Sequence, residues 1–134
     1  MTPLPARDNP FASHRVLAIR YRPEGFGWED LMQRLERLRY RAAIIGPNGA
    51  GKTTLLEDLA PRLAALGFQP HPIRLDEEHP RLDPAFEDRL CRQLGPGDVV
   101  LLDGAEQLSQ LAWWRFRRHS ARAGGLIITC HRAG

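Results

Sequence analysis

The sequence predicts an α/β domain of three layers, with helices on both faces of a mainly parallel sheet of four to five strands. Three observations predict it. Short apolar runs with no polar alternation recur at residues 42–45, 99–102 and 126–129, as buried parallel strands require. Between them lie stretches that read as helices, so strands and helices alternate. Glycine and proline clusters mark the junctions. The chain has 134 residues, one domain's worth, and residues 1–134 are read as one unit.

Taken in order, residues 1–10 hold three prolines and few apolar side chains and read as an irregular arm. Val16-Leu17-Ala18-Ile19-Arg20-Tyr21 is a short β-prone run closed by Pro23, suited to a sheet edge. Glu24-Gly25-Phe26-Gly27 is a turn. From 28 to about 39, Trp28, Leu31, Met32, Leu35 and Leu38 recur at three and four, which predicts an amphipathic helix. The strand at 42–45 follows, then a loop to Gly51. A helix over 52–66 is closed by Gly67, with Pro61 expected to kink or break it. Ile73-Arg74-Leu75 is a weak strand preceded by Pro70 and Pro72. Residues 76–84 are a polar loop, and 85–94 a short helix stopped by Gly95-Pro96-Gly97. Asp98 opens the clearest buried strand, 99–103. One helix is expected from Glu106 to about Arg122, carrying Trp113, Trp114 and Phe116, and a final strand at 126–129.

Apolar residues make up 43% and charged residues 26%, an ordinary globular balance. No apolar run approaches the ~20 residues of a membrane span. The first residues lack the apolar stretch of a signal peptide, so the expectation is a cytoplasmic protein without membrane contact. Cys91 and Cys130 lack metal-ligand spacing and read as ordinary thiols. Net charge is +3. Of the 19 basic residues one is lysine, Lys52, and the other 18 are arginine.

That lysine stands in Gly46-Pro47-Asn48-Gly49-Ala50-Gly51-Lys52-Thr53, which matches the phosphate-loop (P-loop, Walker A) pattern G-x-x-x-x-G-K-[ST]. The glycines let the backbone approach a phosphate closely. Successive amides then form an anion nest, and the following helix adds the positive end of its dipole. The expected ligand is ATP with Mg²⁺, held by these eight residues and Thr54. Lys52 would meet the β- and γ-phosphates, and the Thr53 hydroxyl would bind the metal. Asp103 ends the apolar run 99–102 as a Walker B carboxylate does, and is the second expected Mg²⁺ ligand. A glutamate follows that aspartate in many such ATPases; here Gly104 does. Glu106 has two readings, a group that orients the attacking water or a first-turn acid favoured by a helix dipole. Thr129 and His131 end the last strand. In a parallel sheet that position faces the ligand, so both are candidate γ-phosphate sensors.

The string from Gly46 through Thr54-Leu55-Leu56 resembles the Walker A segment of ABC-type ATPases. No LSGGQ-like signature precedes Val99. The layout as a whole is more similar to the additional-strand, AAA-like branch of P-loop NTPases, some of which place an Asn-Pro-Phe segment, here Asn9-Pro10-Phe11, against adenine. It also resembles small bacterial ATP-binding proteins whose Walker B reads as Asp103-Gly104-Ala105-Glu106-Gln107-Leu108 does. The resemblance implies the P-loop NTPase fold, with the strand ending at Thr129 between the two motif strands. A C-terminal helical lid has no room after Gly134.

The expected activity is a slow Mg²⁺-dependent ATPase cleaving the β–γ bond. A binding switch with little turnover, read by a protein partner, is the alternative, and Gly104 favours it. A small-molecule phosphotransferase using Asp76-Glu77-Glu78 is a third reading. Arg115, Arg117, Arg118 and Arg122, following Trp113 and Trp114, suit either nucleic acid or an ordinary solvated helix face. One of them, or Arg132, is a candidate γ-phosphate contact in a neighbouring subunit.

Overall fold

The computed structural model describes residues 17–20, 27–46 and 51–131. The irregular arm at 1–10, the Asn9-Pro10-Phe11 segment, Pro47 to Ala50 and Arg132 lie outside the described residues. Five strands, β1 (Leu17–Arg20), β2 (Arg41–Gly46), β3 (Gln69–Arg74), β4 (Asp98–Asp103) and β5 (Gly125–His131), alternate with helices α1 (Trp28–Arg37), α2 (Lys52–Ala65), α3 (Pro84–Gln93) and α4 (Gln110–His119). The strands form one sheet in the order β1-β2-β5-β4-β3, and every pairing is parallel. Four longer strands make its body, and short β1 extends the β2 edge. Strand β5 lies between β2 and β4, the order implied by the resemblance.

Alternating strand residues feed two cores, as a pleated sheet buried on both sides requires. Ala42, Ile44, Val99, Leu101 and Ile127 pack with Leu31 and Leu35 of α1 and Leu55, Leu59 and Leu63 of α2. Ala43, Val100, Leu102, Leu126 and Ile128 pack with Leu90 of α3 and with Trp113 and Phe116 of α4. Two helices therefore cover each face. Of the adjacent tryptophans on α4, Trp113 is fully buried and Trp114 is 44% exposed.

Three elements differ from expectation. The weak strand expected at 73–75 overlaps the end of a longer edge strand, β3, which begins at Gln69 and ends at Arg74. Gln69 N–H donates to Gly97 O and Leu75 N–H to Asp103 O, both at 2.8 Å. Odd-numbered residues thus face β4, and Pro70 and Pro72 stand where an N–H would point outward, so neither costs a ladder bond. The helix expected over 106–122 is broken. A 3-10 turn spans Ala105–Gln107, Leu108 is extended, and Ser109 caps α4 by accepting from Ala112 N–H at 3.1 Å. Helix α2 runs unbroken through Pro61. Its end follows expectation: Gly67, at φ +99°, lets Phe68 N–H return to Leu63 O. Asp83 and Pro84 open α3 as cap and first residue. No helix among the described residues is long and apolar enough to cross a membrane.

Candidate functional site

Because the strands are parallel, their carboxyl ends share one edge of the sheet. Register places Gly46 beside His131 and Arg74 beside Asp103. Gly51, at φ +91°, turns the chain into α2, so Lys52 and Thr53 form its first turn. Lys52 is buried, and its ammonium donates to the Gly46 carbonyl at 2.9 Å. The side chain thus reaches back to the last residue of β2.

Asp103 is the hub of the edge. The Thr53 hydroxyl donates to Asp103 Oδ2 at 2.6 Å, bridging 50 residues of sequence. The Thr129 hydroxyl donates to Asp103 Oδ1 at 2.5 Å and accepts the Gly104 N–H at 3.1 Å. Thr129 is buried, so its hydroxyl proton is committed to the carboxylate. Arg74 approaches Asp103 Oδ2 with Nε at 4.0 Å.

Gly104 has a steric reason to be glycine. Its φ is +88°, and a Cβ there would lie 2.2 Å from the Leu75 carbonyl oxygen. No acidic side chain fits at the position after Asp103.

These groups line a cleft of about 710 Å³, within the roughly 300–1,000 Å³ of ligand sites. Gly51, Lys52, Thr53, Asp103 and Thr129 form one part of its wall. Arg74, Asp76, Glu77 and Glu78 form another, and Glu106 and Gln107 a third. Glu106 comes from the 3-10 turn, not from a helix start. Thr54 is exposed on α2 and is not part of the cleft. His131 ends β5 beside Gly46, and its side chain is outside the described residues. Asp76 accepts backbone N–H bonds from His79 at 2.7 Å and Glu78 at 3.0 Å. These bonds, that from His79 first, hold its carboxyl below the usual range. Cys130, next to Thr129, is a buried thiol pushed up to about 12 by desolvation, which makes it inert. Burial likewise pushes Cys91 to about 11; both thiols are free.

Sequence reasoning missed Arg74 and Gln107. Arg74 is reached only through the β3–β4 register, and Gln107 only through the 3-10 turn that replaces a helix. Among the described residues no three His, Cys, Asp or Glu side chains gather as a metal centre. The oxygens of Thr53 and Asp103, 2.6 Å apart, are the hard donor pair available to a cation. No family model matches the chain, and no curated protein or solved structure matches it either.

Proposed function

We propose that the chain has the P-loop NTPase fold and binds MgATP in this cleft, and that it is a slow Mg²⁺-dependent ATPase. The observation that carries the reading is the Thr53–Asp103 hydrogen bond at 2.6 Å. It joins the last residue of the glycine-rich motif to the acid ending β4, the two residue types that share a magnesium ion in this chemistry. A cation held by one hydroxyl and one carboxylate, with phosphate and water completing its shell, suits Mg²⁺. The strand order and the buried lysine at the head of α2 support the same reading.

Mg²⁺, when bound, supplies charge neutralisation and a fixed geometry for the β- and γ-phosphates. The chain supplies the rest. Lys52 offers its ammonium to those phosphates. Thr129 is a positioning residue that fixes the Asp103 carboxylate. Glu106, on the cleft wall, orients a water for in-line attack on the γ-phosphorus. The bond to the β-γ bridging oxygen breaks, giving ADP and phosphate. Catalysis here is positioning and charge stabilisation.

One observation favours a second reading. Gly104 bars an acid from the position beside Asp103, which leaves water activation to a more distant group. A switch, in which ATP orders the cleft walls and turnover is negligible, follows from that. Isothermal titration with ATP and a non-hydrolysable analogue, for wild type and Lys52→Ala, followed by phosphate release, tests both. Binding lost in Lys52→Ala, with slow release that falls further in Glu106→Gln, supports the ATPase. Lysine-dependent binding with no release supports the switch. Absence of binding by wild type would falsify the nucleotide reading.

A further inference from the structure

Strand register brings Arg74 to the wall of the cleft. Ile73 and Leu75 are buried in the core beneath α3 and α4, so alternation turns Arg74 to the opposite face of the sheet. Leu102 lies in that same core. Asp103, the next residue and the register partner of Arg74, therefore faces the opposite side as well. Helix α2 covers that side and brings Thr53 to Asp103. A guanidinium group thus stands on the same face, and at the same end of the sheet, as the donor pair available to a cation.

Backbone and side chain of Arg74 are held differently. Leu75 N–H donates to Asp103 O at 2.8 Å, which pins the chain directly after Arg74. Among the described residues the guanidinium has one ion pair, Nε to Asp103 Oδ2 at 4.0 Å, and the side chain is 67% exposed. Such a pair holds an arginine weakly. The same carboxylate oxygen accepts the Thr53 hydroxyl. Once Asp103 shares its charge with a cation, its hold on Arg74 falls further. Of the acids that follow in sequence, Asp76 is committed to the backbone N–H groups of Glu78 and His79.

The cleft walls carry five carboxylates, Asp76, Glu77, Glu78, Asp103 and Glu106, against two cations, Lys52 and Arg74. A triphosphate in such a place depends on each of the two. Arg74 is the one arginine that the described residues bring to those walls. Arg115 opens on another groove, beside residues 80–84, and Arg118 stacks on Trp114 with Cζ 4.8 Å from the ring centroid. The planar fork of a guanidinium matches two oxygens of a terminal phosphate. We propose that Arg74 is a γ-phosphate contact supplied from within the same chain, so that the cleft recognises a triphosphate without an arginine from a neighbour. This rests on the nucleotide reading above. It gives to β3 the role that the sequence offered to the arginines of α4.

The test is isothermal titration of the full chain, with Mg²⁺, against ADP and against a non-hydrolysable ATP analogue. The affinity for the analogue over that for ADP isolates the terminal phosphate and needs no turnover. Arg74→Ala should lower that ratio roughly ten- to hundredfold, the range of a hydrogen bond to a charged group, and leave ADP binding unchanged. Arg74→Lys, which keeps the charge and loses the fork, should fall between. The side chain is too exposed for either change to unfold the chain. An equimolar mixture of Arg74→Ala and Lys52→Ala chains should bind the analogue no better than Arg74→Ala alone. Recovery of tight binding in that mixture means that the arginine comes from a neighbour, and overturns the proposal. So does an unchanged ratio in Arg74→Ala when wild type binds ATP, which leaves the nucleotide reading standing. Equal loss of ADP and analogue overturns it too, since Arg74 would then serve the general charge of the cleft. Wild type that binds neither nucleotide overturns both the proposal and the reading beneath it.

Discussion

A methyl group on Gly104 would press on the Leu75 carbonyl oxygen at 2.2 Å, against backbone that cannot swing aside, and would hold a left-handed φ. Gly104→Ala should therefore cost at least about 2 kcal/mol, read as a lowered urea midpoint with unchanged slope. Gly67→Ala is the control. It shares the positive φ but has open space, and should cost about 1 kcal/mol. The same residues set what could be read beforehand. That Lys52, Thr53 and Asp103 would meet at one edge of the sheet was legible from the spacing of the glycine-rich motif and the acid that ends an apolar run. That Thr129 gives its proton to Asp103 was not legible, since the implied strand order leaves the register between β4 and β5 open.

Among the elements, α2 holds a proline ten residues in and remains continuous. Buried Leu55, Leu59 and Leu63 fasten both sides of Pro61 to the sheet, so packing overrides local propensity. Pro61→Ala should restore a backbone bond worth up to ~3 kcal/mol. It also frees the unfolded chain by up to ~1 kcal/mol. Thermal unfolding should thus show a net gain of about 1–2 kcal/mol. The break at Leu108 and Ser109 was missed for a related reason: apolar periodicity runs across it, and only Ser109, a cap residue, signals a new start. At the other end of the sheet, His71 on β3 donates from Nε2 to Asp98 Oδ1 on β4 at 2.8 Å, and Gly95 N–H donates to Oδ2. These bonds, His71's foremost, hold the Asp98 carboxyl below its ordinary range. A depressed folded value stabilises above the ordinary carboxylate range, and the stabilisation is lost as pH falls through the depressed value. Thermal melts between about pH 5 and pH 2 should show a shallower acid limb in Asp98→Asn, with lower stability at neutral pH.

For the whole molecule, two cores on one sheet predict joint melting, and a ligand that binds only the folded chain must raise the melting temperature. MgATP at a hundredfold excess over its Kd should add about 2.7 kcal/mol in wild type and nothing in Lys52→Ala. The α/β class and the strand alternation were legible from the apolar runs, since a parallel sheet covered on both faces has no polar side to show. The edge position of β3 was not, because alternate prolines read as loop until a neighbour shows which N–H groups are needed. Lys52 has a consequence of a practical kind. It is the one lysine in 134 residues, and it is buried against the Gly46 carbonyl. Any amine-directed reagent therefore finds a single side-chain address within these 134 residues. Acylation mass at that address becomes a direct gauge of how far the Lys52 ammonium is shielded from solvent, readable in a mixture without a tag, a probe or a purified ligand.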